Sequence, residues 1–182
     1  MRAYRLLLLV AALTLPAGCV TVPTGLSPVR GFTPQRYLGT WYEIARLDHP
    51  FERGLTRVRA SYSLRDDGGL AVLNEGWNAK EGAWQSARGR AYFVDAPDVG
   101  FLKVSFFGPF YGSYVIFALD PDYRWALVSG PTRSYLWILC RDRHPSAATI
   151  DTLIARARAA GFDTDKLIHV AQDDAAAPDD DG

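Results

Sequence analysis

Side chains able to do chemistry are sparse in this chain of 182 residues: two cysteines, Cys19 and Cys140, and three histidines, His49, His144 and His169. A thiol or hydroxyl becomes a nucleophile only beside a base that is itself oriented. No Ser or Cys here has such partners at a recognisable spacing. Neither His-x-x-His nor Cys-x-x-Cys occurs, so no metal-ligand spacing is present. No Gly-rich phosphate loop follows a strand pattern, and Glu43, Glu52, Glu75 and Glu81 lack the spacing of an acid/base pair. Cys140 ends the apolar run Ile138-Leu139-Cys140 and reads as a buried structural thiol. These residues predict no catalytic site, no metal site and no cofactor.

Cys19 has a different setting. Arg2 and Arg5 precede the apolar run Leu6–Leu15, which is too short to span a bilayer, and Leu15-Pro16-Ala17-Gly18-Cys19 closes it on small residues. This three-part form is that of a secretory leader, 1–18. Its ending resembles the bacterial lipobox, which implies acylation of the Cys19 sulfur and cleavage just before it. Multiple acyl chains anchor a protein stably. An ordinary leader with an incidental cysteine is the alternative. Val20 stands where Asp would retain a lipoprotein in the inner membrane, so the resemblance implies the outer membrane, facing the periplasm. Residues 19–34, rich in Pro, Gly, Thr and Ser, then read as the lipidated cysteine and a flexible tether of at most ~40 Å reach.

The elements that must position everything else are strands. Alternating segments at 38–47, 56–64, 70–78, 83–94, 101–107, 113–119, 124–129 and 134–141 are separated by turns such as Asp66-Asp67-Gly68-Gly69, Asp120-Pro121-Asp122 and Gly130-Pro131-Thr132. That pattern predicts an all-β sandwich or barrel. One helix follows: Ser146 can cap it, Ile150, Leu153, Ile154 and Ala157 form its apolar face, and Gly161 stops it with Phe162 folding back. Lys166–Val170 could add a short strand. The tail 173–182, Asp-rich and Ala-rich, reads as disordered.

Gly39-Thr40-Trp41 at the first strand, Asp120-Pro121-Asp122-Tyr123 between the sixth and seventh, and Arg141 at the end of the eighth occur in the order of the three lipocalin signatures. The chain from about 35 to 172 therefore resembles the lipocalin family. The resemblance implies an eight-stranded, up-and-down antiparallel β-barrel with one C-terminal α-helix packed outside. It implies that Gly39, Trp41, Asp122, Tyr123 and Arg141 close one end of the barrel as structural residues, with Arg141 across the Trp41 indole. It also implies a binding function, for hydrophobic ligands such as fatty acids or lysophospholipids, stored or transported in the bacterial envelope. A lipid-modifying lipocalin enzyme and a structural lipoprotein with a filled barrel are the rival readings.

Alternation along each strand extends this to a lining. With Trp41 and Arg141 inward, Glu43, Ala45 and Leu47 follow on the first strand, and Tyr135, Trp137 and Leu139 on the last. Tyr62, Asn74, Val104 and Phe106 face in from the second, third and fifth strands; the fourth and sixth carry no readable phase. The expected ligand contacts are thus Tyr62, Asn74, Val104, Phe106, Tyr135, Trp137 and Leu139. Glu43 would need a basic partner inside, such as Arg141. His49 falls in the first connection at the open end, as an ordinary solvated histidine or a partner for a lipid phosphate. The aromatic run Phe106–Tyr111 falls at another open-end connection.

The formal net charge is zero, but residues 1–18 carry +2, the tail carries −5, and 19–172 carries +3. A +3 barrel is too weakly basic for a nucleic-acid partner. It suits work near an anionic lipid surface, by a monomer or a homodimer.

Overall fold

The computed structural model describes residues 20–173. The leader, Cys19 and residues 174–182 lie outside the described residues.

A short helix α1 (Pro34–Tyr37) precedes eight long strands: β1 (Gly39–Arg46), β2 (Leu55–Leu64), β3 (Leu70–Asn78), β4 (Ala83–Phe93), β5 (Phe101–Ser105), β6 (Gly112–Leu119), β7 (Trp125–Ser129) and β8 (Leu136–Cys140). Helix α2 (Ala147–Ala159) and a two-residue strand β9 (Ile168–His169) complete the chain. Each long strand pairs antiparallel with the next, β8 pairs with β1, and β1 pairs with β2, so the sheet closes on itself as an up-and-down barrel. Closure pairs every long strand on both sides over part of its length, β9 adds beside β1, and the first half of β4 stays unpaired on its β5 side.

Alternation sorts the strand side chains into two cores. The inner one contains Trp41, Tyr62, Val72, Ala91, Leu102, Ile116, Val128 and Leu139. The outer one contains Leu127, Leu136, Ile138 and Cys140 under Leu153, Ala157 and Phe162. Helix α2 thus lies against the β7–β8 wall, its N-terminus capped by Ser146 Oγ accepting from Thr149 N (3.2 Å). Gly161 takes φ +86, which an L side chain resists, and lets Phe162 turn back under the helix.

Two expectations are corrected. The stretch 20–34, expected to be a tether, is laid along the barrel wall. Thr21 and Ser113 exchange hydrogen bonds (2.8 and 2.7 Å), Val29 N donates to Ile116 O (2.9 Å), and Phe32 N donates to Asp98 O (2.8 Å). Val20, Val22 and Leu26 pack on Val99, Phe101 and Val115. Proline and glycine mark irregular backbone, which a barrel wall can hold as readily as solvent can. Second, Ala45 and Leu47 face the outer core. The β1–β8 register shifts between Glu43 and Ala45, and this bulge reverses the phase after Glu43, bringing Arg46 inside.

Candidate functional site

The closed end is built first. Gly39 opens β1 at φ +87, and Arg141 lies 4.0 Å from the centre of the Trp41 indole. Its guanidinium donates to Thr40 O (2.7 Å), Leu38 O (2.8 Å) and Arg36 O (3.0 Å), tying α1 and β1 to the end of β8. The Trp41 Nε1–H donates to Tyr37 O (2.8 Å). Tyr123, at φ +59 in the β6–β7 turn, accepts from Thr33 N through its hydroxyl (2.7 Å), and Arg36 lies over its ring. The turn carboxylate that matters is Asp120 rather than Asp122. Asp120 accepts from Asp122 N, Arg124 N and the Arg124 guanidinium. The Asp122 side chain is exposed and stands 3.9 Å from Arg124. Two residues further into the turn, the Asp122 carboxylate points to solvent and takes none of these backbone donors. Four residues, Gly39, Trp41, Tyr123 and Arg141, thus hold this end.

Above that floor, Tyr114 links two other phenols: its hydroxyl is 2.7 Å from Tyr37 Oη and 2.8 Å from Tyr62 Oη. Burial raises all three phenols above their ordinary pKa, so the chain stays neutral.

Higher in the barrel, the sequence-expected residue Glu43 finds Arg46 (2.7 Å) and not Arg141. Arg46 Nη2 also donates to Glu52 O (2.7 Å). Glu52 Oε2 accepts from Trp137 Nε1 (3.1 Å) and stands 3.1 Å from His49 Nε2. His49, expected in solvent, is 2 % exposed, with its ring against Phe51, Tyr135 and Trp137. His49 and Glu52 turn inward from the β1–β2 connection, where they pair, while Asp48, Phe51 and Arg53 stay exposed. Burial, the nearby Glu52 charge and a hydrogen bond between the two carboxyls push Glu43 well above the usual carboxylate range. Burial opposes ionisation of Glu52 too, but its hydrogen bond and attraction to His49 and its bonds from Glu43 and Trp137 prevail and lower it. Of the two carboxyls, Glu43 is thus pushed toward the protonated form and Glu52 toward the charged one, while Arg46 pulls Glu43 the other way.

The expected ligand contacts fall into two groups. Tyr62 and Leu139 are buried in the packed inner core. Asn74, Val104, Phe106, Tyr135 and Trp137 are only half-buried, as is Tyr114. Asn74 Oδ1 and His49 Nδ1 are buried without a partner among the described residues. What the strand phases missed were Tyr37, Arg46, His49, Glu52 and Tyr114. Tyr114 lies in the run Tyr114-Val115-Ile116-Phe117, apolar on both faces and interrupted by a register shift between Ile116 and Ala118, so alternation had no phase to show. In β4, polar residues occupy both faces of 84–88 and hide the inward Ala91 and Phe93 phase.

Cys140, the free thiol among the described residues, is buried and poorly placed to act as a nucleophile. Burial, with Asp142 nearby, pushes the Cys140 thiol up to about 12. Among the described residues no cluster of His, Cys, Asp and Glu could hold a metal ion.

A family model for a lipocalin-like domain matches residues 33–172. The chain is 56 % identical over 173 residues to Outer membrane lipoprotein Blc of Escherichia coli (strain K12), covering 92 % of this chain and 98 % of that protein. It is 49 % identical over 169 residues to the protein of the same name from Vibrio cholerae, covering 92 % and 99 %. Among solved structures, insecticyanin from the tobacco hornworm Manduca sexta superposes with a TM-score of 0.67 at 20 % identity, over 86 % of this chain and 89 % of that one; this likeness concerns the fold.

Proposed function

This chain belongs to the lipocalin family, and from that premise we propose that its barrel reversibly takes up a long-chain amphiphile, a fatty acid or a lysophospholipid, without transforming it. The observation that carries the reading is the uneven burial of inward-facing residues. At the closed end Trp41, Val72, Leu102 and Ile116 are buried, while Val104, Phe106, Tyr114, Tyr135 and Trp137 keep accessible surface although they face inward. Such a lining gains about 25 cal/mol for each Å2 of apolar surface it removes from water with a ligand. Unpartnered Asn74 Oδ1 and His49 Nδ1 give a polar head hydrogen-bonding opportunities beside the apolar wall.

The same reading places the protein on the periplasmic face of the outer membrane, held by acyl chains on Cys19. The names of the E. coli and V. cholerae relatives support that placement, as does the leader ending Ala17-Gly18-Cys19.

Trp137 supplies the test. Titration with oleate or a lysophospholipid is expected to change tryptophan fluorescence saturably, with a Kd of about micromolar or tighter, and Trp137→Phe should remove most of the change. A flat response to both lipid classes overturns the proposal.

A further inference from the structure

Where the β4–β5 wall ends lies a concave pocket of about 340 Å3 that shares Phe106 with the barrel lining and carries its polar groups on the outer face. Arg65, Arg88 and Arg90 line it, with Ser105, Phe106 and Gly108. It sits where the β4–β5 ladder stops: Arg90 and Ser105 are the last pair, and β4 continues to Ala83 with no partner on that side. Ala91 and Phe93 belong to the inner core, so alternation turns Arg88 and Arg90 outward.

Three features suit this pocket to an anion. Arg65 is held in place by Asp67 (2.7 Å), whereas Arg88 and Arg90 have no ion-pair partner among the described residues. Ser105 is 4 % exposed, yet its Oγ has no hydrogen-bond partner there. Burying a hydroxyl unpaired is costly, and a ligand oxygen between the hydroxyl and the guanidiniums would satisfy it. At Gly108, a Cβ would stand 3.0 Å from Arg90 Nη2, so the glycine leaves the guanidinium room against the loop. Paired arginines present the planar donor forks that phosphate oxygens fit.

The surroundings say which phosphate. Phe107 stands between the lining residues Phe106 and Gly108 and is 76 % exposed; Phe110, in the same loop, is 64 % exposed. Apolar rings beside an anion pocket match a molecule with a phosphate and an acyl region. Thr21, two residues after Cys19, is bonded to Ser113 at the base of the same β5–β6 hairpin. An acylated Cys19 would hold this hairpin near lipid; that last point rests on the anchoring proposed above, whereas the pocket chemistry does not.

We propose that the Arg65–Arg88–Arg90–Ser105 pocket binds the phosphate of a phospholipid headgroup, with Phe107 and Phe110 against the acyl region. The test is equilibrium binding to the full-length protein in zwitterionic detergent, with dihexanoyl phosphatidylglycerol and inorganic phosphate as separate probes. The lipid should bind saturably, and an Arg88→Gln/Arg90→Gln double variant should weaken it about tenfold or more. A Phe107→Ser/Phe110→Ser variant should weaken the lipid and leave inorganic phosphate unchanged. Both arginines lie outside the barrel, so their effect is separable from uptake into it, and neither probe requires the anchor. No saturable lipid binding, or lipid binding that the arginine variant leaves intact, overturns the site. Equal affinity for both probes, indifferent to the phenylalanine variant, makes it a free-phosphate site and overturns the headgroup assignment.

Discussion

Arg46 shows how much one inward side chain can organise. It was outward by simple alternation, and a single bulge places it between Glu43, Glu52 and the carbonyls of the β1–β2 connection. Burial and Glu52 raise the pKa of Glu43, so Arg46 and Glu43 should respond differently to mutation. Arg46→Met removes the buried partner of the Glu43 carboxyl and the donor to Glu52 O and Leu55 O, which should cost about 3–5 kcal/mol of folding free energy. Glu43→Gln replaces a carboxyl that its surroundings push toward the neutral form and should cost about 1 kcal/mol or less. Chemical denaturation of the two variants measures both. A Glu43→Gln loss as large as that of Arg46→Met would mean that Glu43 carries charge.

The β6–β7 turn is the element whose stability should follow pH. Hydrogen bonds from the Arg124 side chain, opposed by burial and helped by backbone N–H groups, hold Asp120 below the usual carboxylate range. A lowered carboxyl favours the folded state wherever the unfolded chain has also lost its proton, above about pH 4. That stabilisation is lost as pH falls through the lower folded-state value. Asp120→Asn should therefore cost about 1–2 kcal/mol near neutral pH and nothing once both states are protonated. Thermal melts of the two proteins between neutral and strongly acidic pH should converge on the acid side.

For the molecule as a whole, the described chain begins on the wall and not away from it. Residues 20–32 are bonded to β6 and to residues 98–100, so an acyl group on Cys19 would leave little slack between membrane and barrel. Intact mass of the membrane-extracted protein should show a chain starting at Cys19 with added acyl mass. Cys19→Ser should abolish that addition. An unmodified wild-type mass would remove the anchor.

The strand order, the helix and its cap, the plugging pair Trp41–Arg141 and the outward set Leu136, Ile138 and Cys140 were all legible in the residues. The helix, its cap and the outward set rest on local periods, whereas the strand order and the Trp41–Arg141 pair were legible through the three lipocalin signatures. The interior was legible only while alternation ran unbroken, as it does through Val104–Phe106 and Tyr135–Leu139. Bulges at Glu43/Ala45 and Ile116/Ala118 shift the phase by one residue without a mark in composition. Arg46 and Tyr114 were hidden for that reason, and Asp122 was read in place of Asp120. His49 and Glu52 entered the barrel, and residues 20–34 settled on its wall, through pairings with groups distant in the chain or on other strands. Whether a polar loop stays in water or turns inward depends on partners waiting across the fold, and only the tertiary structure brings those partners to it.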